Sequence, residues 1–562
     1  MPPVRRRLFR GVLAAAAVLT PAVLTAAASA APGPGAAEAS GAPRTGSVHW
    51  DRGAFRAVCG SRRGAVDRRT LRLFDDARLD VVAARVSRDA QGTVLWTGRV
   101  AGRPDRPVTL AIDGACGDGA PRVAGEVHLG TGRYVIDADR PGTSTVRELP
   151  FTRRDLPHDD VVRVDPAPPP GAVRLAGARE PRPDRPSPTL SRAAVTAPVI
   201  DLLVGYTPAT VRHTTGGAPA LDLKVKAAVA GTNTAYSDST ANARINLLGT
   251  FTTKEWTGGD DDPDGIVTAL SDPDSPAYHG AFAVDARAQR DSRGADLLHV
   301  LTQFTPEPGS LYTVGTANAP ALPRIVPGAA RGAGSDGAAF GAQQSDTLGT
   351  YHLAHEIGHN FGLYHDYVTD PVNPAAENYQ SGNFDPYYPD NHGFLPADRT
   401  WTDIMGYTMS CAREDRCETG LWFSNPRQTY RGKPRGVPLG EPEPADCVRV
   451  MNLTGPVLAN YRTPPATTPP VPVRYALTAA PESPAHGSVT PAATGLFDRG
   501  DQVTVTAVAK SGYRLDHWTV DGAVQPVRAT EVAVTMNSDH FVTAGFVRDT
   551  AAPTRPPTAT AR

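Results

Sequence analysis

The stretch that decides the reading is His355-Glu356-Ile357-Gly358-His359-Asn360-Phe361-Gly362-Leu363-Tyr364-His365. On a helix, residues four apart share a face, so His355 and His359 can direct two imidazole nitrogens at one point. Glu356 stands one step round the helix, within reach of that point without being a ligand. Gly362 can take the positive φ that ends a helix and turns the chain back, which brings His365 to a third position. Three neutral nitrogen donors with an open fourth position suit one catalytic zinc ion, and a carboxylate beside them suits a general base. HExxH alone is weak evidence, whereas Gly362 and His365 at fixed offsets make it specific. His352 lies on nearly the same stripe, but one helical turn rises about 5.4 Å, too far to share an ion held by the pair below it. It reads as a packed or supporting histidine.

Downstream, Asp403-Ile404-Met405-Gly406-Tyr407 fits a turn in which Met405 forms an apolar floor beneath the imidazoles. Taken together, His355 to Asp366, Met405 and Phe423-Ser424-Asn425-Pro426 resemble a reprolysin (adamalysin-like) metzincin of the bacterial secreted branch, with Asp366 directly after the third His as the mark of that subfamily. The resemblance runs from Ile200 (IDLLVGYTP) through Asn233 to Arg244 (NTAYSDSTANAR) to Ala459-Asn460-Tyr461-Arg462. It implies an α/β (α+β) catalytic unit with a twisted five-stranded sheet and an active-site helix above a cleft. It also implies peptide-bond hydrolysis in protein or peptide substrates, with a sheet-edge segment at Ser310 to Gly315 pairing with the substrate. A peptidyl-Asp-type metalloendopeptidase of the same clan is the nearest alternative.

The organisation around this unit follows from composition. Arg5, Arg6, Arg7 and Arg10 precede an apolar run from Gly11 to Ala28 and the small-x-small site Ala28-Ser29-Ala30, which reads as a signal peptide over 1–30. Export through the general secretory route is expected ahead of the twin-arginine route, and no later stretch reads as a membrane span. Residues 31–195 alternate in short β-like runs and end in a Pro- and Arg-rich link from Asp165 to Arg192. From 196 to 462, strand-like runs alternate with helical ones, which calls for a layered α/β core. Residues 463–472 (TPPATTPPVP) form a stiff spacer, 473–548 a small β-rich module resembling divergent bacterial B-repeat domains, and 549–562 a tail. That module suits cell-surface or matrix contact, with Trp518 read as core. With 57 Lys plus Arg against 58 Asp plus Glu, no global field favours nucleic acid. A monomer is expected.

By the same resemblance the upstream β-rich unit corresponds to a propeptide, and the chain to a zymogen. Val58-Cys59-Gly60 could then supply a thiolate to the zinc as a cysteine switch, but a disulfide between Cys59 and Cys116, both in one exported β unit, is the favoured reading. In the catalytic unit Cys447 is expected to pair with Cys411 or Cys417. Asp260, Asp262, Asp264 and Gly265 echo the start of a calcium loop, but Ser271 stands where a Glu is needed, so Ca2+ is only weakly supported.

Overall fold

The computed structural model describes residues 44–59, 68–150, 161–164, 197–257, 263–303, 314–319, 336–369, 388–462 and, with short gaps, 474–549. The signal peptide, the link from Asp165 to Arg192, the Pro-rich spacer, Asp260, Asp262 and Ser310 lie outside them.

Alternating polar and apolar residues upstream build an antiparallel sheet of eight strands: β1 (Arg44–His49), β2 (Arg68–Arg72), β3 (Arg78–Arg88), β4 (Val94–Val100), β5 (Arg103–Asp113), β6 (Arg122–His128), β7 (Gly132–Arg140) and β8 (Thr143–Pro150). Neighbours follow chain order from β2 to β8, and β1 closes onto β8. Inward residues such as Val81, Trp96, Leu110 and Ile136 make its core. Cys59 is joined to Cys116, with Cα atoms 5.5 Å apart. This is the favoured pairing, and it rules out the alternative of Cys59 as a cysteine switch, since a sulfur bonded to Cys116 has no thiolate to offer a metal.

A short strand, β9 (Val161–Val164), then leads to the catalytic unit. That unit runs β10 (Val199–Tyr206), α1 (Pro208–His213), α2 (Gly217–Ser239), β11 (Arg244–Thr252), α3 (Pro263–Ser271), α4 (Ala281–Arg293), β12 (Leu297–Thr302), β13 (Gly315–Ala319), β14 (Phe340–Gln344) and α5 (Thr350–Asn360). Its sheet order is β11-β10-β12-β14-β13-β9. The sheet therefore has six strands where five were expected, because β9 from the upstream segment joins it parallel to β13. β13 itself runs antiparallel to β14, whereas β10, β11, β12 and β14 are mutually parallel. The weakly supported alternative of a calcium loop is not formed at its described residues. Pro263 to Ser271 is a helix with Asp264 in its first turn, where an acidic residue complements the helix dipole rather than joining an ion-binding loop.

Helix α2 is apolar on opposite sides because it is covered on both. Leu221, Val225 and Ala228 face the catalytic core, while Ala220, Leu223 and Ala227 pack on Ala111, Ala124 and Ala138 of the upstream sheet. Small residues on both partners let helix and sheet approach closely. Among the described residues beyond α5 come short strands β15 (Trp401–Thr402), β16 (Glu418–Thr419), β17 (Asn425–Tyr430) and β18 (Lys433–Arg435) before helix α6 (Cys447–Leu458). Between Arg474 and Arg548, a five-stranded and a three-stranded sheet share a core in which Trp518 is buried. Among the described residues no helix is long and apolar enough to cross a membrane.

The second disulfide joins Cys411 to Cys417, and Cys447 is a free, buried thiol. The expected pairing of Cys447 is thus corrected. Cys411 and Cys417 are only 6 residues apart, so closing their loop costs little chain entropy. Cys447 opens α6, where its Sγ donates to the His392 carbonyl at 3.1 Å. Burial pushes this thiol well above the ordinary range, so it should be inert. We expect the native protein to resist thiol alkylation and to take up one label per chain at Cys447 on denaturation without reductant. Peptide mapping that found native labelling, or Cys447 within a disulfide, would refute this.

Candidate metal centre

Helix α5 carries the first two histidines on one face, and its sequence shows why it can lie so deep. Gly358 sits between them, and a side chain there would collide with its neighbours: a Cβ would fall 2.5 Å from Met405 Sδ and 3.3 Å from Phe423 Cε1. Met405 and Phe423 are both fully buried, so the methionine of the downstream turn packs directly on the helix that bears His355 and His359. The helix then stops at Gly362, whose φ is +90°. The Gly362 N–H donates to the His359 carbonyl at 2.8 Å and the Leu363 N–H to Gly358 at 3.1 Å, which satisfies carbonyls that would otherwise end unpaired. The reversal carries His365 back beside the helix.

The three imidazoles converge. One ligating atom from each of His355, His359 and His365 lies within 4.8 Å of the others, and all three rings are buried. His355 Nε2 and His359 Nε2 stand 3.2 Å apart. Their other nitrogens are committed: His355 Nδ1 donates to the Ile404 carbonyl at 2.7 Å and His359 Nδ1 to the Leu363 carbonyl at 2.8 Å. A carbonyl only accepts, so the proton is on Nδ1 and the lone pair of each Nε2 is directed inward. Neutral imidazoles held in this tautomer, around one point and without an acidic ligand, are the donor set zinc takes in a catalytic site. His352 is not in the group. It faces away, where Arg133 donates to its Nδ1 at 3.2 Å.

Glu356 is buried on α5 beside the triad. Its carboxylate lies close against the start of β13, where a Cβ on Gly315 would fall 2.0 Å from Glu356 Oε1. The glycine therefore leaves the space that the Glu356 carboxylate occupies.

Asp366 was marked in the sequence by its place after the third histidine, whereas the other supporting contacts had no signature there. Asp366 ties the third histidine's loop to the methionine turn, accepting from the N–H groups of Val368, Thr369 and Tyr407 at 3.0, 3.1 and 3.0 Å. Tyr407 lays its ring 4.5 Å from that of His365. His392 donates from Nδ1 to the His365 carbonyl at 2.9 Å. Asn360, at the end of α5, donates to Asn318, Ala338 and Phe340 carbonyls and meets His299 Nε2 at 2.8 Å, which fastens the helix to β13 and β14.

Residues 196–388 match the metallo-peptidase family M12B reprolysin-like. This segment is a reprolysin-like metallopeptidase domain. Its bounds take in α5 and the triad, while Met405 and Phe423 of the same core lie beyond them. Residues 475–550 match the divergent InlB B-repeat domain. A peptidyl-Asp metalloendopeptidase of Pseudomonas aeruginosa is 26% identical over 286 residues, an alignment that spans 49% of this chain and 42% of that protein. Among solved structures, metalloproteinase-II from Bacteroides fragilis is similar at 12% identity and a TM-score of 0.32, covering 62% of this chain and 94% of that one. A chaperone-substrate complex is similar at 20% identity and a TM-score of 0.31, covering 48% and 36%.

The turn at Gly362 yields a direct test of how the reprolysin-like domain holds its third histidine. A β-branched residue at φ +90° is strained by roughly 1–2 kcal/mol. Gly362→Val should lower stability by about that amount and should release zinc to a chelator faster than the wild type. Equal zinc retention in the two proteins would show that the turn does not position His365.

Proposed function

We propose that the chain is a secreted zinc metalloendopeptidase, made as a zymogen, in which His355, His359 and His365 hold the metal and Glu356 is the general base. The observation that carries this reading is the convergence of three buried imidazoles whose Nδ1 atoms, at His355 and His359, are already tied to carbonyls. A bound zinc supplies Lewis acidity, lowering the pKa of water and polarising a carbonyl. In this reading Glu356, one helical step from the ligands and close against Gly315 of β13, takes a proton from water and hands it to the departing amine. Nothing in this scheme needs a covalent enzyme intermediate. The two disulfides are in keeping with an oxidising, extracellular setting.

The zymogen part of the reading is supported by β9. An extended peptide substrate would add to the sheet at its edge, and beyond β13 that edge is taken by Val161–Val164 in parallel register with Thr316–Ala319. Cleavage in the Pro- and Arg-rich link that follows β9 would cut the tie between this strand and the catalytic unit. The similarity to a peptidyl-Asp metalloendopeptidase adds a narrower reading, in which cleavage occurs at aspartate. Mass-spectrometric mapping of cuts in a diverse peptide mixture separates a clustered aspartate preference from a broad one.

Glu356→Gln keeps the side chain's size and removes its basicity. Zinc content and thermal stability should stay near wild type, while peptide hydrolysis should fall by roughly 10²- to 10⁴-fold. His359→Ala deletes a ligand and should lower zinc occupancy as well as turnover. A Glu356→Gln protein cleaving at near wild-type rate would sink the assignment of the base.

A further inference from the structure

Helix α5 begins without a cap of its own. Its N-cap position is Gly349, which has no side chain to accept from the first-turn N–H groups, and buried helix ends need such an acceptor. The acceptor comes from the upstream sheet. Glu126 of β6 reaches the Thr350 N–H with Oε2 at 3.2 Å. Arg133 of β7 stands 3.6 Å from the same carboxylate oxygen and donates to the Thr347 carbonyl at 3.0 Å and to His352 Nδ1 at 3.2 Å. Glu126, Arg133 and His352 are all buried. Burial pushes the pKa of the Glu126 carboxyl up while Arg133 and the Thr350 N–H oppose that shift, and in its ionised form it also complements the helix dipole.

Gly349 is what lets the sheet come so near. A Cβ there would fall 2.1 Å from Glu126 Oε2 and 2.8 Å from Arg133 Nη1. On the other side, Gly231 of α2 leaves room for Thr350, whose Oγ1 would lie 1.9 Å from a Cβ at that glycine. The first turn of α5 is thus wedged between α2 and the upstream unit. The same sheet is fastened to α2 by Lys224 to Asp137 at 2.9 Å and Lys226 to Asp89 at 2.6 Å, and by Arg99 to Asp238 at 2.7 Å. These pairs flank the alanine-lined contact of α2 with β5, β6 and β7. By contrast, β9 is held to β13 through a register of only Val161 to Val164.

We propose that the upstream sheet is a lasting positioning element of the catalytic unit: Glu126 caps and Arg133 anchors the first turn of the metal-binding helix, and the sheet stays bound after the link is cut. Its consequence is that maturation would free the β13 edge without removing the support behind α5. This inference rests on the reading of α5 as the active-site helix. Glu126 and Arg133 touch no reacting atom and act only through the helix.

Amide hydrogen exchange across Gly349 to Ala354 in the full chain tests it. Glu126→Leu removes the acceptor and should speed exchange at these amides about fivefold, the usual effect of losing a cap. Glu126→Gln keeps an oxygen that can accept from Thr350 and should stay within about twofold of wild type. Should Glu126→Leu fail to fold, Gly349→Ala displaces the carboxylate while leaving it in the protein, and should show the same increase. A second arm replaces residues 176–182 with a site-specific protease sequence, cuts the chain and follows gel filtration, where co-elution of both pieces is expected. Unchanged exchange in the Leu or Ala variant, equal effects of Leu and Gln, or separation of the pieces would each overturn the proposal. A wild-type protein that bound no zinc would instead count against the metallopeptidase reading, since the exchange comparison does not depend on metal.

Discussion

An imidazole is fixed in the tautomer and orientation that present one nitrogen to a metal when its other nitrogen is held, and two of the three histidines are held in this way by backbone carbonyls. The Ile404 carbonyl fixes His355 and the Leu363 carbonyl fixes His359. Neither acceptor is a side chain. Each is placed by a turn: the methionine turn for Ile404, and the helix stop at Gly362 for Leu363. The packing of Met405 on Gly358 is therefore more than a floor, because it locates the carbonyl that sets the tautomer of the first histidine. Asp366 and His392 then bind the third histidine's loop to the same region.

Around this centre the protein spends its small residues where chains must meet. Gly358 admits Met405, Gly315 admits Glu356, Gly231 admits Thr350 and Gly349 admits Glu126. Helix α5 is consequently gripped along its length: by the upstream sheet and α2 at its start, by the methionine turn at Gly358, and by Asn360 at its end. A buried helix under such constraint has few ways to tilt, and a metal site needs its donors held closely. The upstream unit is integral to that grip, which makes it a poor candidate for a mere plug.

How much of this was legible in the sequence depended on range. The triad was legible because its spacing is local, with helical periodicity placing His355 and His359 and a glycine turn placing His365. The all-β character upstream and the strand and helix alternation downstream were legible for the same reason. Cysteine pairing was not, because it depends on where distant segments meet: Cys447 is carried by α6 to the His392 carbonyl, away from Cys411 and Cys417. The sixth strand was also hidden, since Val161–Val164 gains its place only through pairing with β13. Asp264 kept a calcium loop open as a weak alternative because an acidic first turn of a helix and the start of such a loop use the same letters. The carbonyls of Ile404 and Leu363 leave no trace in side-chain identity at all.

X-ray absorption at the zinc K-edge of the purified full-length protein tests the central claim most directly. The structure predicts nitrogen and oxygen scatterers at about 2.0–2.1 Å with imidazole outer-shell features, fitting three histidines, and no sulfur. A sulfur shell at about 2.3 Å, or imidazole features unchanged on replacing His365, would contradict it.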